Sequence, residues 1–127
     1  MTRRVLLAIP LAACCAAADA AASLSAGNAT LFLRAFDPAM PGYAKLRENV
    51  TGLVAQGEVQ SLIEPGEDEG DDRRRAAEFQ WTLILQRGQE AAGSVRRQEV
   101  VKCKVEKQAG KWRIIGLEPI EFFAPLR

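Results

Sequence analysis

The sequence predicts one α+β domain in which two N-terminal helices pack on a curved antiparallel sheet of about four strands, giving a cone-like shape. Three observations predict it. The chain has 127 residues, the size of one small domain. Its residues are 48% hydrophobic and 26% charged, as in ordinary globular proteins. The spacing of apolar residues changes from about four to two near Gly57, so helices precede strands.

Residues 1–20 have the pattern of a secretory signal peptide. Arg3 and Arg4 precede an apolar stretch, and the tripeptide ending at Ala20 fits the small-x-small pattern of a cleavage site. The uncharged stretch is shorter than the ~20 residues that a permanent membrane-spanning helix needs. We therefore expect an exported protein, periplasmic or secreted, in which residues 21–27 form a flexible leader before a domain at residues 28–127.

A second pattern overlaps the first. Residues 11–14, Leu-Ala-Ala-Cys, resemble a bacterial lipobox, in which Cys14 is acylated and becomes the new N-terminus. This alternative gives a protein that is lipid-anchored to the cell envelope, and the anchor is the only membrane contact expected. Cleavage after Ala20 instead leaves Cys103 as the one cysteine, which cannot form an internal disulfide.

The two predicted helices cover residues 29–36 and 43–56. Asn28 is a suitable cap for the first helix, and Pro38 ends it because the residue before a proline avoids the helical conformation. The second helix has its apolar residues at helical spacing, and Gly57 is its natural stop.

Four strands are predicted after the helices. Apolar and polar residues alternate in each, which is typical of strands with one buried face. Pro65 begins an acidic loop that continues to Asp72, and Ala109 with Gly110 forms a tight hairpin. The strands are expected at residues 59–64, 75–86, 95–107 and 111–117.

This layout resembles the nuclear transport factor 2-like superfamily, whose members have a cystatin-like α+β cone. The resemblance covers about residues 28–125 and rests on the helix at 43–56, the strand residues 79–83, Phe-Gln-Trp-Thr-Leu, the strand at 100–106, and residues 110–114, Gly-Lys-Trp-Arg-Ile. The family usually has three helices and more strands. Its polyketide-cyclase and ketosteroid-isomerase branches use an Asp with His or Tyr partners, but this chain has no His and one Tyr. No catalytic residue is carried over.

A pocket between the second helix and the inner face of the sheet is the expected ligand site, because aromatic and aliphatic side chains line most small-molecule pockets. The same side chains would otherwise form the core. The residues expected to line this pocket are Phe32, Phe36, Leu46, Val50, Phe79, Trp81, Cys103 and Trp112.

Other chemistries are not favoured by the sequence. Residues 64–72 contain six carboxylates, but their spacing is not that of a calcium loop, and arginines follow at once. We expect no metal and no cofactor. Cys103 has no histidine to activate it as a nucleophile. The net charge of +1 lacks the basic excess of nucleic-acid-binding domains.

The sequence therefore favours an exported, non-enzymatic domain that binds a small apolar ligand or a protein partner in the cell envelope. One alternative is a homodimeric interaction module that buries an outer sheet face containing Ile84, Ile115, Leu117 and Phe122. Another alternative is a hydrolase or isomerase that uses two carboxylates, for which Glu78 and Glu118 are the only strand candidates.

Overall fold

A computed structural model describes residues 10–86 and 94–126, with side chains described from residue 16 onward. Its elements follow the order helix, helix, helix, then four strands and a short 3-10 helix. They are α1 (Pro10–Ser25), α2 (Ala29–Leu33), α3 (Tyr43–Gln56), β1 (Glu58–Gly70), β2 (Arg74–Gln86), β3 (Ser94–Gln108), β4 (Lys111–Glu118) and the 3-10 helix Ile120–Phe123. The predicted turn at residues 87–93 lies outside the described residues.

The four strands form one antiparallel sheet in the order β1-β2-β3-β4. Trp81 lies opposite Ile63 on β1 and Glu99 on β3. The β3–β4 hairpin closes on Ala109 and Gly110, whose φ angles of 51° and 83° suit the tight turn predicted for them. Every strand connection that the structure describes is therefore between neighbours, as expected for a meander.

The N-terminal helix α1 is the main departure from the sequence-based prediction, which has two helices. The five residues Ala21–Ser25, predicted as part of a flexible leader, are helical. Gly27, with φ of 72°, ends the helix, and the N–H groups of Gly27 and Asn28 donate to carbonyls in its last turn, each over 3.0 Å. An alanine-rich segment has the composition of both a signal peptide and a packed helix, so composition does not separate them.

Two element boundaries also differ from the prediction. β1 continues to Gly70 through a bulge between Pro65 and Asp68, where an acidic loop was predicted. The first predicted helix ends at Leu33 rather than residue 36, because Phe36 forms a parallel bridge with Ile114 on β4. Both differences arise from pairing with distant strands, which local propensity does not report.

The core lies between the helices and one face of the sheet. Its aromatic centre is continuous: Phe32 and Phe36 are 5.0 Å apart between ring centroids, and Phe123 contacts Phe32 at 5.6 Å and Trp81 edge-on at 5.2 Å. Such tilted and edge-on contacts are favourable for aromatic pairs. Among the described residues, no helix has the length and apolar character that crossing a membrane requires.

Candidate ligand-binding cleft

The interior of the cone is filled by side chains. Six of the residues predicted to line a pocket are at most 1% exposed and belong to the hydrophobic core: Phe32, Phe36, Leu46, Val50, Phe79 and Trp81. Cys103 is 2% exposed, and Trp112 is half-buried at the edge of the core. The structure therefore brings most of the predicted set together as packing partners.

A cleft of about 840 Å³ lies elsewhere, at the end of the sheet where β1 and β4 are bulged. Cys103 is the one member of the predicted set that borders it. The described residues lining the cleft are Pro41, Gly66, Glu67, Asp68, Glu69, Ala76, Ala77, Glu78, Lys102, Cys103, Lys104, Ile115, Gly116, Leu117 and Glu118.

Small residues and bulges account for the position of the cleft. The bulge in β1 contains Gly66, and a Cβ atom there would approach the carbonyl oxygen of Glu78 to 3.1 Å. Gly116 lies beside the bulge in β4, opposite Lys104, and contributes no side chain of its own. A Cβ atom on Gly116 would meet the side chain of Lys104 at 3.4–3.6 Å. Bulges bend a strand locally, and the two glycines let a neighbouring strand or side chain approach closely. The cleft lies where the two edge strands bend.

Three rows of cross-strand neighbours border the cleft. Asp68, Ala77, Cys103 and Leu117 lie opposite one another on the inner face. The other two rows are on the outer face: Glu78, Lys102 and Glu118 form one, and Glu69, Ala76, Lys104 and Gly116 form the other. Residues directly opposite each other in a sheet share a face. The cleft therefore combines one buried row from the inner face with two rows of charged and small residues from the outer face.

Asp68, which lines the cleft beside the β1 bulge, is held in a buried ion pair. Arg75 Nε donates to Asp68 Oδ1 over 2.9 Å, and the two side chains are 7% and 8% exposed. Arg75 Nη1 also donates to the carbonyl oxygen of Asp71 over 2.9 Å. The other carboxylate oxygen, Asp68 Oδ2, is buried and accepts no hydrogen bond within the described chain. Buried carboxylate oxygens are rarely left without a donor, and an ordered water or a ligand commonly supplies one.

The thiol of Cys103 is unreactive in this environment. Burial raises the pKa of its thiol to about 12, because the apolar surroundings disfavour the thiolate. A thiol with that pKa stays protonated at neutral pH, and the sequence contains no histidine to take its proton. Cys103 therefore contributes a small wall residue to the cleft and no nucleophile.

The remaining sequence candidates are placed as follows. Glu78 and Glu118, the carboxylates considered for catalysis, flank Lys102 on the outer face. Cys14 lies in α1, but its side chain is outside the described part, so its acylation stays a prediction. Within residues 10–86 and 94–126, no group of three potential metal ligands is gathered.

The sequence analysis missed Asp68 and Arg75 as site residues. Asp68 lies in the run of carboxylates that was predicted as a loop, and Arg75 was predicted as the first residue of a strand. A signal was present in Pro65 and Gly66, because this pair inside a longer strand pattern indicates a bulge. The burial of the pair depends on strand pairing with β2, which the run itself does not reveal.

No protein-family model and no curated protein matches the chain. Solved structures do. A protein of unknown function with a cystatin-like fold from Nostoc punctiforme is 18% identical, with a TM-score of 0.67 over 85% of this chain and 86% of that one. A nuclear transport factor 2-like superfamily protein from Salmonella enterica is 15% identical, with a TM-score of 0.67 over 88% and 87%.

An enzyme has a similar fold. A type 2 hexachlorocyclohexane dehydrochlorinase is 10% identical, with a TM-score of 0.66 over 85% of this chain and 81% of that one. At these identities the likeness shows the fold and nothing finer. The chain has the cystatin-like α+β fold of nuclear transport factor 2-like proteins, which confirms the fold predicted from the sequence. Similar folds support unrelated functions, so function must be argued from the cleft.

Proposed function

We propose that this protein is a non-catalytic binding domain of the cell envelope that holds a small cationic, amphipathic molecule in the cleft at the bulged end of the sheet. The observation that carries the proposal is the unpartnered oxygen Asp68 Oδ2 beside an open cleft. A ligand ammonium or amide N–H would donate to this oxygen. The export signal predicted at residues 1–20 supports the location.

The charges around the cleft favour a cation. Asp68 is paired with Arg75, so the remaining charges decide the local balance. Two lysines border the cleft together with four glutamates, which are Glu67, Glu69, Glu78 and Glu118. Clefts lined mainly by one sign of charge concentrate ligands of the other sign. An excess of carboxylates therefore recruits a positively charged group.

The apolar part of the ligand has its own surface. Ala76 and Ile115 are half-buried and border the cleft. Covering this surface removes apolar area from water, which contributes about 25 cal/mol for each Å². A hydrocarbon chain attached to an amine satisfies both the apolar wall and Asp68.

The direct test adds n-alkylamines, from butylamine to octylamine, and monitors their binding by the NMR chemical shifts of the backbone amides. We expect octylamine to shift the amides of Ala76, Lys104 and Gly116, and Asp68→Asn to weaken its binding about tenfold, the loss of one charged hydrogen bond. Ala76→Phe should abolish binding by filling the cleft. Gln80→Phe, on the same strand and face but outside the cleft, should leave binding unchanged. No amide shifts with any amine, or equal binding of octanol, would overturn the proposal.

A second candidate function is association of two copies through the outer face of the sheet. Leu62 and Val100 are 51% and 48% exposed on that face, and Ile84 is half-buried near them. The sequence analysis placed Leu117 and Phe122 on this face, which is wrong, because both are buried in the core of their own chain. Sedimentation equilibrium at micromolar concentration would show a dimer that Leu62→Lys dissociates, or monomer alone if this candidate is wrong.

A further inference from the structure

Helix α1 has one buried face made mostly of alanine. Ala18 and Asp19 lie on its exposed side. The buried residues recur one and four positions apart, which places them on one side of a helix. They are Ala16, Ala17, Ala20, Ala21 and Leu24, each at most 7% exposed and part of the same core as the sheet.

Hydrogen bonds join the end of α1 to the centre of the core. The Ser61 N–H donates to Ser25 Oγ over 2.8 Å. The hydroxyl oxygen of Ser61 in turn accepts from Trp81 Nε1 over 2.9 Å. The largest fully buried side chain, Trp81, is thus connected through β1 to α1.

Cleavage after Ala20 would divide this buried face. It would leave Ala21–Ser25 of the helix and remove Ala16, Ala17 and Ala20 from the core. Helices shorter than ~12 residues are marginal unless packing holds them, and three of the five buried residues would be gone. The sheet surface beneath the lost residues would then be open to water.

We infer that α1 is kept from Ala16 onward in the mature protein, so that any N-terminal processing occurs before Ala16 and not after Ala20. The small residues that fit a cleavage pattern serve here to bring the helix close to the sheet. Processing at the overlapping pattern that ends with Cys14 would leave the buried face whole. This inference is independent of the ligand proposed for the cleft.

The first test is the mass of the protein isolated from its own cells. A chain that begins at Ala16 or at any earlier residue supports the inference. A chain that begins after Ala16, at Ala21 above all, overturns it. Mass spectra of the denatured protein identify its first residue, whether or not the N-terminus carries a modification.

The second test asks whether the face stabilises the fold, using the full chain produced without export. Ala20→Glu places a charge in the buried face, and Ala18→Glu places the same charge on the exposed side. We expect Ala20→Glu to lower the thermal midpoint by at least about 10 °C and Ala18→Glu to change it by less than about 2 °C. If Ala20→Glu does not fold, the milder Ala20→Leu should lower the midpoint by several degrees through overpacking. Equal midpoints for the buried and exposed variants would overturn the inference.

Discussion

The inner face of the sheet differs between its centre and its bulged end. At the centre, Trp81 and Phe79 are at most 1% exposed, and Trp81 packs edge-on against Phe123 of the 3-10 helix. Two and four residues earlier on the same strand, the inward positions are held by Ala77, which lines the cleft, and by Arg75, which is buried in the ion pair with Asp68. One strand therefore serves as core in one half and as the wall of a site in the other. Side-chain volume decides which, because protein interiors are filled to crystal-like density wherever large residues are available.

The centre should respond most strongly to truncation. Trp81→Ala removes the largest fully buried side chain and leaves Ser61 without its donor, so we expect a loss of about 3–5 kcal/mol in the free energy of unfolding. Urea unfolding followed by circular dichroism measures it. Trp112→Ala, at a half-buried site, should cost less than half as much. Equal losses would mean that the centre is not the stabilising region.

The bulged end should be sensitive to charge. Arg75→Ala leaves Asp68 buried without a partner, and we expect a loss of about 3 kcal/mol. Arg74→Ala is the matched control, because Arg74 pairs with Glu106 over the same 2.9 Å while its side chain is 73% exposed. Solvent screens that pair, so its loss should be below about 1 kcal/mol. Chemical denaturation measures the free energy of unfolding of both variants. A larger loss in Arg74→Ala than in Arg75→Ala would contradict the importance of the buried pair.

The link between the centre and α1 should have an intermediate effect. Ser61→Ala removes the acceptor of the Trp81 indole N–H, and the buried donor should cost about 1–3 kcal/mol. Ser23→Ala is the control. The Ser23 hydroxyl donates to the backbone carbonyl oxygen of Asp19 at an exposed position within α1. Thermal unfolding of the two variants should separate them by several degrees, and coincident curves would show that the link contributes nothing.

The smallest expected effect is a pH dependence at the edge of the sheet. Hydrogen bonds from Gln108 hold the pKa of Asp37 and of Glu106 below their ordinary values of 3.8 and 4.5, with Arg74 also acting on Glu106. A carboxyl whose pKa is lowered by folding stabilises the protein at neutral pH, and that contribution is lost as the pH falls through the lowered value. Stability should therefore fall below about pH 4.5, and less steeply in Gln108→Ala. Identical pH profiles in urea midpoints would contradict the assignment.

Much of the fold could be predicted from local patterns. The helix at residues 43–56 has the predicted bounds. Each end of β2, β3 and β4 agrees with the prediction to within one residue. These elements have strong periodicity and clear stops, such as Gly57 and Pro119. The site was predicted less well, because aromatic residues line both pockets and cores, and only packing distinguishes them. Of the expected lining residues, Cys103 alone borders the cleft.

By itself, the sequence determined the class of the fold, the position of helices before strands, and the lack of histidine chemistry, since each depends on local composition and period. Tertiary structure decided the rest. It assigned alanines with the pattern of a signal peptide to the core, because a small side chain is buried only when a partner surface lies against it. It also joined Asp68, from a predicted loop, and Arg75, from the start of a predicted strand, into a buried pair, because pairing of β1 with β2 brought them together.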